Sequence, residues 1–250
     1  MASSSSPTIP MMNCSRFYFE WKGHPIDDLA TFRTITLTER PGKPIIYLAG
    51  DSSLDNKYWV DKGSPIVLSQ LPDIYSQTFK SPVVPKPDVA FWLNNLLEDR
   101  ATCINTAVEE SMLRDRDEML MSHDEFIRDN IRSNDVLIVS VGANDVALKP
   151  NSSTIRHMLQ LAWLTPRKNL ENGTAGALTY FKHMFGTKVE NYVTRLTAKT
   201  KPRAVIVCMI YFPLESGLGQ TSWADAQLKA LYVFLCEICM RHALTSYTHI

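Results

Sequence analysis

Four nearly continuous apolar runs are spaced along the chain: Pro44 to Ala49, Thr102 to Thr106, Asp135 to Val141 and Ala204 to Phe212. A strand buried on both faces reads this way, because neither side of its pleat meets water. Between the runs, apolar residues return at intervals of three and four, the spacing of one helix face. That period predicts a helix opening at Leu54 to Val60 and others over Val89 to Asp99, Ser122 to Ile131, Ile155 to Leu164, Ala175 to Thr197 (broken near Gly186) and Trp223 to Tyr247. Ser122-His123-Asp124-Glu125 has the form of a capping box ahead of the stripe Phe126, Ile127 and Ile131. Alternating strands and helices predict an α/β fold with a doubly wound parallel sheet, helices on both faces and right-handed crossovers.

Two stretches fall outside the alternation. Arg16 to Trp21 suits a short strand or an N-terminal flap. Lys62 to Asp88 carries Pro65, Pro72, Pro82, Pro85 and Pro87. Proline removes an N–H and restrains the residue before it, so this segment reads as a long excursion. It is either a passive surface insertion or a cover that shapes a ligand mouth.

At 250 residues the chain can enclose one sizeable core, expected over residues 16–250 behind a disordered tail at residues 1–15. Lysine plus arginine number 26, as do aspartate plus glutamate, which offers no case for a nucleic-acid partner. The serine-rich start lacks a basic stretch followed by an apolar one, and no run approaches the roughly eighteen apolar residues of a membrane span. A cytoplasmic protein is expected, with its five cysteines reduced. Cys236 and Cys239 have redox or half-zinc spacing, but they lie in a helical pattern without a second pair and read as core. The acceptor-type sequences at Asn13, Asn151 and Asn172 are then unused. No metal-ligand spacing, Gly-x-Gly-x-x-Gly or P-loop follows a strand, so neither metal nor cofactor is expected.

The candidate chemistry lies where apolar runs end. Gly50-Asp51-Ser52 follows the first, Asn105-Thr106-Ala107 closes the second, and Gly142-Ala143-Asn144-Asp145 follows the third. Ligands of open α/β sheets sit beyond the carboxyl ends of the strands, where these motifs offer a hydroxyl and a carboxamide. A serine hydroxyl is a poor nucleophile until a base takes its proton. Serine at such a place also caps helices, and asparagine also bonds its own turn.

Gly-Asp-Ser and Gly-x-Asn-Asp, in this order and after two strands, resemble the SGNH (GDSL-like) hydrolase superfamily over roughly residues 43 to 245. The glycine at the centre of that family's second block falls on Ala107. The resemblance implies cleavage of a small-molecule ester, carboxylic or acetyl, through an acyl-enzyme on Ser52. The oxyanion hole would combine the Asn144 side chain with backbone N–H groups of Ser52 and Ala107. Gly142 would make the third-block turn, while Gly50, Asp51, Asp55, Asn105 and Asp145 would hold the loops. The family's closing Asp-x-x-His, source of the general base, has no counterpart after Gly142. The chain therefore reads as a C-terminally incomplete member, missing its last strand and helix. The base is unassigned among His24, His123, His157, His183, His242 and His249. An uncovered sheet edge would favour self-association. The alternative is a non-catalytic binding or vestigial member of the same fold.

Overall fold

The computed structural model describes residues 10–61 and 69–210. The predicted helix from Trp223 to Tyr247, Cys236, Cys239, His242 and His249 lie outside the described residues. Contacts divide the chain into two compact units. One takes residues up to Ser111 with 120–140 and 195–207; the other takes 112–119, 141–194 and the chain from Cys208 onward.

The first unit holds an all-parallel sheet. Its strands are β1 (Ile45–Gly50), β2 (Thr102–Asn105), β3 (Val136–Ser140) and β4 (Ala204–Val207), in the order β2-β1-β3-β4. All four apolar runs thus form strands of one sheet. Ile45, Tyr47, Leu48 and Ala49 of central β1 are fully buried, as are Cys103, Ile104, Leu137 and Val139. Gly50 of β1 stands beside Ser140 of β3, so these two strands end level, and β2 ends two residues earlier with Asn105 beside Leu48.

Two buried polar side chains hold the strands. On the outer side of β2, the Asn94 carboxamide donates to the Cys103 carbonyl and accepts from its N–H, both at 2.8 Å. A helix side chain thereby takes the place of a neighbouring strand. At the start of β3, the Asp135 carboxylate accepts the Ile45 N–H at 2.8 Å and is gripped by the Arg132 guanidinium at 2.7 and 3.0 Å. The Asp135 carbonyl accepts the Arg203 N–H at 2.8 Å. One residue therefore ties the entries to β1, β3 and β4.

Helices flank the sheet. Ile26–Glu39 buries Leu29, Phe32 and Ile35; Val89–Leu97 buries Ala90 and Phe91; Ser122–Asn130 buries Phe126 and Ile127. Asp88 caps the second of these, accepting the Phe91 N–H at 2.8 Å. The third starts from Met121, whose N–H donates to Asp124 at 3.1 Å, so its cap lies one residue before Ser122. Phe17, Phe32, Tyr75, Phe79 and Phe91 pack largely edge to face, with neighbouring centroids 5.2 to 5.9 Å apart.

Three local expectations are corrected. Arg16 to Trp21 is not a strand: Cys14–Phe17 is a helical turn, because the Asn13 side chain accepts the Arg16 N–H at 2.9 Å while Cys14 and Phe17 turn inward. Just before it, Met12 bridges to Phe79, so residues 12–15 pack against the rest of this unit. The proline-rich excursion contains a helix, Asp73–Thr78, since Pro72 at its cap needs no N–H. Leu54 to Val60 does not open an α-helix. A turn leads into the 3-10 helix Lys57–Trp59, because Asp55 and Asn56 direct their side chains to backbone N–H groups elsewhere.

The second unit is helical among its described residues, with Ala143–Val146, Ser152–Leu159, Arg167–Glu171 and Leu178–Lys182. Leu161, Leu170, Ala175, Ala177, Leu178 and Phe181 form its core. The predicted helices at 155–164 and 175–197 each pass into a π-helical turn, Gln160–Leu164 and His183–Lys188, and the second contains Gly186. No helix of the described residues is long and apolar enough to cross a membrane.

Candidate functional site

Backbone contact determines the start of the loop after β1. Gly50 has φ +138°, and a Cβ there would overlap the carbonyl oxygen of Ser140 on β3. Only glycine lets the chain turn off the sheet at this point. Asp51 donates its N–H to the Ser140 carbonyl at 3.1 Å, while its buried carboxylate accepts the Ser53 N–H at 3.0 Å and the Ser53 hydroxyl at 2.5 Å. Ser53 also pairs with the Ser140 hydroxyl at 2.8 Å. Ser52 is half-buried, and among the described residues of its unit no group hydrogen-bonds to its hydroxyl. The two adjacent serines therefore differ: Ser53 is committed to holding the loop, and Ser52 is uncommitted.

The loop after β2 lies against this one. The Val108 N–H donates to the Gly50 carbonyl at 2.9 Å, and the Ser111 hydroxyl donates to the same oxygen at 3.0 Å. Asn105 is a brace, donating to the Leu54 carbonyl at 3.0 Å and to Asp88 at 3.3 Å. Its Oδ1 accepts the Ala107 N–H at 3.2 Å, so the donor expected of Ala107 for an oxyanion is already engaged in an Asx turn. Ala107 itself is fully buried among Leu48, Leu54, Ala90 and Cys103.

Asp55 is fully buried and joins three segments. It accepts the Gly23 N–H at 2.7 Å and the Glu109 N–H at 2.8 Å, and it pairs with Lys57 at 2.5 Å. Glu109 accepts the Trp59 indole N–H at 3.1 Å, and burial pushes its carboxyl up to about 7. Burial also pushes Asp88 up to about 6. Lys57, Asp88, Glu109 and Ser140 were not marked by any motif. Of these, only Asp88, directly before a helical pattern, gives a local signal as a cap.

In the second unit, Gly142 has φ +105° and caps the short helix Ala143–Val146. Asn144 is buried on that helix. Asp145 accepts the N–H groups of Leu113 at 2.6 Å and Arg114 at 3.2 Å, an anchoring role, and burial raises its carboxyl above the usual range.

Each described histidine is placed by its own surroundings. His24 stacks on Phe17 and bonds the Phe17 carbonyl at 2.7 Å, and burial holds its imidazole well below its ordinary pKa. His123 bonds the His24 carbonyl at 2.8 Å. His157 bonds the Ser153 carbonyl at 2.7 Å and stacks on Tyr180. His183 begins a π-helical turn. Among the described residues no cluster of histidine, cysteine, aspartate or glutamate is arranged to hold a metal ion. No family model, curated protein or solved structure matches the chain.

Proposed function

We propose that the chain is an SGNH-type serine ester hydrolase, with Ser52 as the acyl-accepting nucleophile and a carboxylic or acetyl ester as substrate. The observation that carries this reading is the Gly50 turn, which leaves Ser52 uncommitted on a loop braced through Asp51 and Ser53. Strand order adds support. β2-β1-β3-β4 begins the flavodoxin-like doubly wound order, whose switch point falls between β1 and β3, where ligands of such sheets bind. Ser52 follows β1, and the Gly142–Asp145 motif follows β3 in sequence. On the motif resemblance alone, Asn144 is the proposed carboxamide donor to the oxyanion. Ala107 could join only by releasing Asn105.

Binding without catalysis is the second reading, favoured by the engaged Ala107 N–H and by His24 and His123 being bonded to main-chain carbonyls. Hydrolysis of p-nitrophenyl acetate by the wild-type chain and Ser52→Ala separates the two. Turnover lost in the variant supports the hydrolase; equal rates remove Ser52 from any mechanism.

A further inference from the structure

A second feature of the first unit is independent of the hydrolase reading. Trp21, Tyr58 and Trp59 are 44, 56 and 69 % exposed, uncommon for three large aromatic rings side by side. They do not lie flat as a stacking platform. Tyr58 meets Trp21 at 61° with centroids 5.9 Å apart, and Trp59 at 87° and 5.1 Å. The rings therefore stand as walls set at steep angles to one another.

The walls are held from beneath. The Trp59 indole N–H donates to Glu109 Oε1 at 3.1 Å, and buried Lys57 donates to the Trp21 carbonyl at 3.3 Å. Glu109 is 3 % exposed, and its other oxygen, Oε2, is buried without a hydrogen-bond partner among the described residues. Glu109 thus fixes the orientation of the Trp59 ring through its indole N–H. The chain already shows what such a surface accepts: the Lys22 ammonium lies over the Trp21 ring at 4.6 Å while pairing with Glu110 at 3.2 Å.

We propose that Trp21, Tyr58 and Trp59, backed by Glu109, form a binding site for an organic cation of the quaternary ammonium class. Ring faces attract a cation through their quadrupole, and methyl groups on nitrogen fill a cage that water fills poorly. Lys22 acts as a resident cation that a ligand must displace or tolerate. This gives the site a distinctive signature: removing Lys22 should improve binding, although most surface truncations weaken it.

Tryptophan fluorescence titration with choline is the test, against 3,3-dimethylbutan-1-ol as the neutral molecule of the same shape. Choline should give a saturable change with a dissociation constant on the order of 1–10 mM. The alcohol should bind at least about tenfold more weakly. Trp59→Ala should weaken choline binding about tenfold, Trp59→Phe less, and Lys22→Ala should strengthen it about threefold. Circular dichroism of each variant checks that it is folded; both side chains are exposed, so the fold should persist. Equal response to choline and the alcohol, no saturable response to choline, or unchanged binding in folded Trp59→Ala would each overturn the proposal.

Discussion

Gly50 and Gly142 both adopt positive φ, at +138° and +105°, but what excludes a side chain differs between them. At Gly50 a Cβ would overlap the Ser140 carbonyl oxygen, part of the paired backbone of β3. At Gly142 it would meet the Phe185 ring edge at 2.9 Å, and a ring can rotate away. Their acidic neighbours differ in the same way. Asp51 bonds Ser53 inside its own loop, whereas Asp145 bonds Leu113 and Arg114 of another segment. The first loop is dictated by the sheet beside it, and the second by side chains and a helix cap. Rigidity at the first suits a nucleophile that must be presented in one position.

Breaking the first loop should have the largest effect. Gly50→Ala combines backbone overlap with a disfavoured φ, so it should cost more than about 3 kcal/mol and leave little folded protein in urea titration monitored by circular dichroism. A folded Gly50→Ala with wild-type stability would show that the strand contact is not limiting. Next, on the role proposed for its carboxamide, Asn144→Ala should lower kcat about 10²- to 10³-fold with little change in KM, read from steady-state ester hydrolysis. A change confined to KM would make Asn144 a binding group.

The third effect concerns pH. Glu109 borders the first loop and is pushed from 4.5 up to about 7, and Asp88 from 3.8 up to about 6. A raised carboxyl means that the folded state holds its proton more tightly than the unfolded chain. The associated stability is complete below the unfolded value and is lost as pH rises through the folded value. Stability should therefore fall between about pH 4.5 and 7, by on the order of 2 kcal/mol for Glu109. Glu109→Gln should flatten that slope, measured by urea midpoints at several pH values. The smallest effect belongs to the second loop: Gly142→Ala should cost only about 1–2 kcal/mol, because Phe185 can yield.

The parts legible in the sequence are those set by near neighbours. Continuous apolar runs mark all four strands: β1 and β2 carry theirs because both faces are covered, whereas Val205, Ile206 and Val207 of β4 are exposed, so burial does not account for the fourth run. The Gly50 and Gly142 turns were legible locally, as glycine directly after an apolar run marks a backbone that other residues resist. What escaped depends on partners distant in sequence. Asn94 as a stand-in for a strand, Asp135 at the entries of three strands, and Glu109 beneath Trp59 leave no periodic trace. The 3-10 turn at Lys57–Trp59 was read as helix because its apolar spacing fits one, while the bonds from Asp55 to Gly23 and Glu109 that divert it span 32 and 54 residues. Asn105 as an Asx turn to Ala107 was local and could have been foreseen from asparagine's habit of bonding two residues on.

The central claim is that Ser52, and not its neighbour Ser53, is the nucleophile presented by the Gly50 turn. Labelling with a fluorophosphonate, followed by peptide mass spectrometry, tests it most directly. The account predicts a single adduct on Ser52, lost in Ser52→Ala and kept in Ser53→Ala at a reduced rate. An adduct on Ser53, or equal labelling of native and urea-unfolded chain, would contradict it.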